Sequence, residues 1–526
     1  MSIAFFSGVA MSLAVAPLNW WGFAWIAIAP LWVIVNGENH KASGRMISPT
    51  VCAIAWGIGY HGSALFEIRG LHPLMWLGIP WLASIAITFF CWAFITLWGA
   101  ALVAIWQGGM RLGVRSWTSA ASGSRTKIGN SGVAFSLFRV LLGTALWCGV
   151  ETLCNLTPLA WTSISYTQSP GNLAILHLGQ LSGAMTVTAA IAAVNGLIAE
   201  AWISWQAKAK DKQPYFLVAI AVLLFVIGHL LGYWLYRQPL NDLATSALKV
   251  GLIQGNVPTR IKLFPEGLQR AETGYAKGYT TLVEQGAEAV LTPEGALPFL
   301  WNDRSRINSL FYQSVLDKQK VTWLGTFTAQ KGGVARSLLT LNAQGDAISR
   351  YDKVKLVPLG EYIPFQELLG GLVSKLTTVA ENGLPGGLNQ RLDTPFGLAI
   401  ASICYDSAFP EIFRRQAARG GQFILTASNL DPYSEVLMAQ HQAQDLMRAI
   451  EIDRWAVRAT NTGYSGVIDP HGRIVWRSQP QTYDIHVQTI YRRQTQTGYV
   501  RWGDWLTPVL LILAAVAGVV RWVRSQ

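Results

Sequence analysis

Apolar positions dominate the first 236 residues in long runs broken by short polar stretches, and the pattern changes near residue 238. A bilayer-spanning helix needs about 20 mostly apolar residues. Runs of that kind lie at roughly 3–16, 20–36, 49–67, 79–106, 134–153, 180–203, 215–236 and 505–522, which predicts eight spans. The first is short and ends at Pro17, so a half-length or tilted helix paired with the second is expected. Between 238 and 500 the residue mixture is that of a globular domain. β-branched, apolar runs at 248–256, 288–294, 321–328, 337–342, 397–405 and 422–429 predict strands. Helical stretches intervene at about 266–285, 303–318 and 436–453. Strands that alternate with helices and are apolar throughout predict an α/β domain with buried sheets. The expected division is a seven-span membrane domain (1–237), an α/β domain (238–500), and a last span with its tail (501–526).

Composition sharpens this picture. Only 13% of the 526 residues are charged and mean hydropathy is +0.30, against a charged fraction of about 25% in soluble domains. The N-terminal stretch lacks a basic region and an A-x-A site, so it reads as a membrane helix rather than a removed signal. The net charge of +12 sits in tracts beside the apolar runs, without the aromatic-interleaved basic stripe that a nucleic-acid groove needs. Lys41 and Arg45, then Arg111, Arg115, Arg125 and Lys127, then Lys208, Lys210 and Lys212, and finally Arg521 and Arg524 all fall on one side of alternating spans. That side is the cytoplasmic one. The stretches Pro17–Asn19 and Glu151–Gln180 carry no Lys or Arg, and the loop after the third span has only Arg69. Residues 238–500 are therefore expected outside the cytoplasm. Many of the 23 tryptophans flank the spans, as interfacial anchors do. Glu151, Glu200 and His229 interrupt apolar runs. Intramembrane ionisable groups are candidates for function, but these lie toward span ends, where interfacial solvation explains them more simply.

Three strand-like runs lead into chemically capable residues: Glu294 in AVLTPEGALP, Lys353 in RYDKVKLVPLGEYIP, and Cys404 in AIASICYD. Carboxyl ends of strands converge on the crevice of an α/β domain. A thiol nucleophile, a carboxylate base and an ammonium that steadies developing negative charge form a covalent-catalysis set. Taken singly, each has an ordinary reading as a capping carboxylate, a surface lysine or a small buried hydrophobe. The other cysteines (Cys52, Cys91, Cys148, Cys154) lie in or beside the spans. Cys404 thus has no disulfide partner within its domain, and a free thiol in an oxidising space is a reactive candidate. No His/Cys cluster has metal-ligand spacing. Neither a His-x4-Asp motif nor a Gly-x-Ser-x-Gly elbow occurs.

These residues resemble the carbon–nitrogen hydrolase (nitrilase) superfamily, with its Glu-Lys-Cys triad on an αββα sandwich. The whole chain resembles the apolipoprotein N-acyltransferase family, in which such a domain precedes the last of eight spans. The resemblance is most specific at QGN (254–256), PEGALP (293–298), YDKVKLVPLGEYIP (351–364), ICYD (403–406), ASN (427–429) and residues 448–472. It implies Glu294 as general base, Lys353 as oxyanion stabiliser and Cys404 as nucleophile. Glu361 matches a second, supporting glutamate, and Tyr405 would offer its main-chain N–H to the oxyanion. Asn429 and Glu451 match positions that line or support the site. Two departures stand out: Asp406 replaces the usual glutamate after Tyr405, and SNLDPY (428–433) lacks the tryptophan of that loop.

The resemblance further implies a membrane phospholipid as acyl donor and a diacylated apolipoprotein as acceptor. It implies ping-pong chemistry through a Cys thioester, no cofactor, and a place in a bacterial inner membrane with the catalytic domain on the periplasmic side. A monomer is expected. Residues 363–376 read equally as a lipid-dipping lid or a packed helix–loop. The competing readings are a membrane-tethered amidase or hydrolase with the same triad, and a non-catalytic lipid-binding protein.

Overall fold

The computed structural model describes the chain outside residues 38–47, 76–77, 122–131, 208–211, 303–305, 359, 363–382, 432 and 526. Lys41, Arg45, Arg125, Lys127, Lys208, Lys210 and all of 363–376 fall outside the described residues. The chain forms two compact units: Met1–Arg69, Phe89–Gln238 and Trp502–Gln526 in one, Gly70–Thr88 and Pro239–Arg501 in the other.

The longer helices up to residue 236 are α1 (Ser2–Ser12), α2 (Ala29–Asn36), α3 (Pro49–Ala64), α4 (Trp81–Ala121), α5 (Val133–Leu156), α6 (Ala184–Gln206) and α7 (Gln213–Tyr236). Among the described residues, α4 to α7 and the C-terminal helix Leu506–Ser525 are long and apolar enough to cross a membrane. The other three expected spans are shorter. The 11 residues of α1 rise about 16 Å at 1.5 Å each, half of a hydrocarbon core of about 30 Å. The second is broken: a 3-10 turn at Trp21–Trp25 precedes α2, whose first turn holds Pro30. A proline lacks the N–H that a continuous helix needs there.

Asn195 of α6 caps the break, its Oδ1 accepting from the N–H groups of Ile28 and Ala29 at 2.8 and 3.0 Å. The closest partner of α1 is α3 rather than the second stretch. A Cβ at Gly8 would stand 2.1 Å from the Trp56 carbonyl oxygen, and one at Gly59 would stand 2.2 Å from that of Phe5. Glycine alone permits this backbone contact, as between close-packed membrane helices.

Glu200, Glu151 and His229 are partnered inside the protein. Glu200 is fully buried, paired with Arg139 of α5 and hydrogen-bonded by Trp32 Nε1 at 3.0 Å. This corrects the interfacial reading of Glu200: a buried carboxylate needs a buried cation. Glu151 accepts from Trp147 Nε1, Ile164 N, Ser163 Oγ and Thr188 Oγ1, and so joins α5, α6 and the 163–165 turn. His229 meets Asn172 Nδ2 at 3.0 Å.

The second unit holds two six-stranded sheets. The first is built from β1 (Ala247–Gln254), β2 (Ala289–Leu291), β3 (Val321–Gln330), β4 (Gly333–Leu341), β5 (Ala347–Asp352) and β12 (Asp484–Tyr491), in the order β12-β1-β2-β3-β4-β5. The second is built from β6 (Leu392–Thr394), β7 (Gly397–Ile403), β8 (Phe423–Ser428), β9 (Ala456–Thr460), β10 (Gly466–Ile468) and β11 (Ile474–Arg477), in the order β11-β10-β9-β8-β7-β6. Each has three parallel strands at its centre, β1-β2-β3 and β7-β8-β9, flanked by antiparallel ones.

The longer helices of this unit are α8 (Pro265–Glu284), α9 (Leu310–Lys318), α10 (Pro410–Ala418) and α11 (Glu435–Ile452). Tyr275, Tyr279 and Leu282 of α8 and Phe311 and Val315 of α9 are buried against Ile253, Val290 and Leu324 of the first sheet. Fully buried Trp323 of β3 joins the sheets, its ring 5.8 Å from that of Phe423 and 6.3 Å from that of Phe396. This is the expected αββα sandwich.

Candidate active site

Each of the three chemical residues lies where a strand gives way to a turn. β2 ends at Leu291 and the chain turns through Glu294 and Gly295, the latter at φ +55°. β5 ends at Asp352, whose carboxylate is fixed by Ser337 Oγ at 2.5 Å and Gln330 Nε2 at 2.8 Å, and Lys353 follows. β7 ends at Ile403, and Cys404 opens a 3-10 turn with φ at +50°. That left-handed backbone costs a non-glycine residue about 1–2 kcal/mol, and it turns the chain sharply just at the thiol.

The structure brings these residues together. Lys353 Nζ, fully buried, lies 3.0 Å from Glu294 Oε1 and 2.7 Å from Glu361 Oε1. Glu361 Oε2 accepts from the Val357 N–H at 3.0 Å. Arg336 of β4 adds its Nε at 3.1 Å from Glu361 and 3.8 Å from Glu294. The other oxygen of Glu294 accepts the main-chain N–H of Asn429 at 3.1 Å. The carbonyl of Asn429 in turn accepts from Cys404 Sγ at 3.9 Å. One loop after β8 therefore touches both the carboxylate and the sulfur.

The electrostatics follow from burial. Burial works against the Lys353 ammonium, but Glu294 and Glu361 outweigh it and hold the group above the usual lysine range. Burial likewise opposes a charged Glu361, yet Lys353 and Arg336 keep its carboxyl below the usual range. Cys404 goes the other way. Burial pushes its thiol up to about 12, aided by Glu294 and Glu361, against the pull of Lys353 and Arg458. At neutral pH the sulfur therefore carries its proton.

Asp406, the first departure noted in the sequence, is fully buried and binds two segments together. Its Oδ1 accepts from Lys355 N at 2.7 Å, and its Oδ2 from Tyr351 Oη, Ile403 N and Val354 N at 3.0, 3.1 and 3.4 Å. It thereby ties the turn carrying Lys353 to the turn carrying Cys404. Burial raises its carboxyl to about 6 despite the N–H groups of Lys355 and Ile403. Asp406→Ala would strand buried donors, each costing about 1–3 kcal/mol. A drop of about 3 kcal/mol or more in the unfolding free energy of the purified protein is expected. An unchanged denaturation midpoint would remove this role.

The remaining expected residues are placed differently. Tyr405 sets its ring edge-on to Phe409, 5.2 Å away. Glu451 is paired with Arg448 on the same helix, Arg448 Nε to Oε2 at 2.9 Å, and its main-chain carbonyl accepts from Thr497 Oγ1 at 2.8 Å. Asn429 is held at its side chain by Asn461 Nδ2 at 3.1 Å. Asn461 also binds both main-chain groups of Val257, just after the QGN motif. Pro432 of the altered loop lies outside the described residues.

Arg336 and Lys262 escaped the sequence reading. Arg336 sits one residue before the strand expected from 337, so its alternation with the core was not visible. Among the described residues, no cluster of His, Cys, Asp or Glu has the makings of a metal site.

Residues 249–498 match the family model of the carbon–nitrogen hydrolases, which gives the class of protein to which the second unit belongs. Residues 7–197 match the model of the apolipoprotein N-acyltransferase N-terminal domain. An apolipoprotein N-acyltransferase of Nostoc sp. is 52% identical over 504 residues, covering 96% of both chains. One of Synechocystis sp. is 47% identical, covering 96% of this chain and 98% of its own. The chain belongs to the apolipoprotein N-acyltransferase family. It is accordingly a membrane-embedded N-acyltransferase. Among solved structures, an amidase from Nesterenkonia sp. aligns at 18% identity and a TM-score of 0.38, covering 52% of this chain and 98% of its own.

Proposed function

We propose that the protein moves an acyl chain from a membrane glycerophospholipid to the N-terminal amine of a diacylglyceryl-cysteine apolipoprotein, with Cys404 as the acyl carrier. The observation that carries this reading is the lysine held between two glutamates beside a protonated, buried thiol. In the first half-reaction Glu294 takes the Cys404 proton as sulfur attacks the ester carbonyl. Lys353 and the main-chain N–H of Tyr405 steady the oxyanion. The C–O bond breaks, Glu294 returns the proton to the departing lysophospholipid oxygen, and a thioester remains. In the second, the acceptor amine attacks the thioester, Glu294 takes its proton, the C–S bond breaks, and the thiolate is reprotonated. The product is an amide. No step calls for a cofactor.

The same reading assigns residues 1–237 and 501–526 to the membrane and 238–500 to the catalytic domain. It places that domain on the periplasmic side of a bacterial inner membrane, in a monomer. The basic tracts support the orientation. Glu361, Asp406 and Asn429 serve as supports of the triad, and Glu451 as a support at longer range.

The test is to mix the purified protein with labelled phospholipid and a diacylated lipopeptide. Amide-linked label on the peptide is expected. Free fatty acid alone would instead select the hydrolase reading.

A further inference from the structure

The buried amine of Lys262 takes no part in the chemistry above. Lys262 ends the single helical turn Thr259–Lys262 and is only 5% exposed. Burying an ammonium is costly unless its surroundings compensate, so its neighbours are informative. Its Nζ donates to the main-chain carbonyl of Glu294 at 3.4 Å, and a Cβ on Gly295 would stand 3.6 Å from it. Glu294 and Asp431 are the two carboxylates whose charge acts on it.

Asp431 also secures the turn on which Lys262 sits. Its Oδ2 accepts from the Thr259 N–H at 2.6 Å. Its own N–H donates to Asn429 Oδ1 at 3.4 Å, and Asn429 holds the Glu294 carboxylate by its main chain. Glu294 is thus gripped at both ends, at its carboxylate by the loop after β8 and at its carbonyl by the Thr259–Lys262 turn. Those two segments are bonded to each other. Around Glu294 stand the cations Lys353, Arg336 and Lys262, the carboxylates Glu361 and Asp431, and the Cys404 thiol. With Glu294 included, positive and negative charges balance. Removing Lys262 leaves an excess negative charge, which favours a protonated Glu294.

We propose that Lys262 is a positioning residue for Glu294: its ammonium fixes the Glu294 main chain and keeps the carboxylate ionised to receive the Cys404 proton. The inference rests on the acyl-enzyme reading given above. Burial lowers the Lys262 amine to about 8, with Glu294 and Asp431 acting in the opposite sense. On the alkaline side the charge is lost, and the bond to the Glu294 carbonyl weakens from a charge-assisted one to that of a neutral donor, so the main chain of Glu294 is held less firmly.

The test isolates the first half-reaction, since the acceptor amine titrates in the same range. Full-length native protein, Lys262→Met and Lys262→Arg are mixed with phospholipid and no acceptor, and Cys404 thioester formation is followed by intact mass against pH. Native acylation is expected to fall above about pH 8. In Lys262→Arg that fall moves up by about 2 pH units or more, because a guanidinium keeps its charge. In Lys262→Met the acid limb moves up by about 1 unit. A merely structural residue would change the rate without moving either limb. Native acylation with both limbs unmoved in the variants overturns the proposal. Where Lys262→Met does not fold, the alkaline limb of Lys262→Arg decides alone. A native protein that forms no thioester overturns the acyl-enzyme reading and this inference with it.

Discussion

Cys404→Ser is expected to lower acyl transfer by at least about 10³-fold while leaving the fold intact. The residue is 6% exposed, and the pair of Lys353 with Glu294 and Glu361 does not involve its sulfur. A hydroxyl of nearly the same volume fills the site, so the unfolding midpoint should move little. What changes is the chemistry: a serine hydroxyl is a far weaker nucleophile at this pH, and Glu294 alone is not arranged to ionise it. The decisive measurement is intact mass after mixing with phospholipid. The native protein should gain one acyl group on Cys404 and the variant none. An acyl adduct of equal yield on the serine variant would sink the mechanism.

Lys353→Met is expected to reduce both stability and activity. The ammonium is the shared counter-ion of two carboxylates, Glu294 and Glu361, that are 8% and 11% exposed. Breaking a buried pair by removing one partner costs about 3–5 kcal/mol, softened here because Arg336 still reaches both carboxylates. Loss of a donor aimed at a developing oxyanion costs a further factor of about 10²–10³ in rate. Lys353→Arg should not rescue, since a planar fork does not fit the space of a compact ammonium. Adding Glu361→Gln to Lys353→Met removes the stranded charge and should recover part of the stability without recovering acylation. Stability lost equally in the single and double variants would show that the pair is not the cause.

The sheets and the triad were legible in the sequence because they rest on local signals. The apolar runs at 248–256, 321–328 and 422–429 are strands that both layers bury, and they appear as β1, β3 and β8. Glu294 and Cys404 stood out because each ends such a run, and Lys353 because it follows a turn in RYDKVKLVPLGEYIP. β5, β9, β11 and β12 were not legible: the burial of β5, β11 and β12 is partial or alternating rather than continuous, and β9, although buried throughout, is five residues long and carries Arg458 in its middle. β2, β6 and β10 are three residues long, and the last two leave too short a run to recognise. α9 starts late, at the cap supplied by Ser309. Lys262 was illegible for a physical reason. In TRIKLF it is one of two cations in a short polar turn, and its contact with the distant β2 turn is not visible from the local sequence. Glu200 failed similarly, because its partner Arg139 lies 61 positions away on α5.

The protonated state of Cys404 has a consequence beyond catalysis. Oxidants and electrophiles attack the thiolate rather than the thiol. An exposed thiolate would be prone to loss as sulfenic acid or as a stray mixed disulfide. Here burial keeps the sulfur inert at rest, and it becomes reactive only while an ester carbonyl is positioned to receive it. The same desolvation that makes the proton hard to remove gives the thiol its chemical durability at rest.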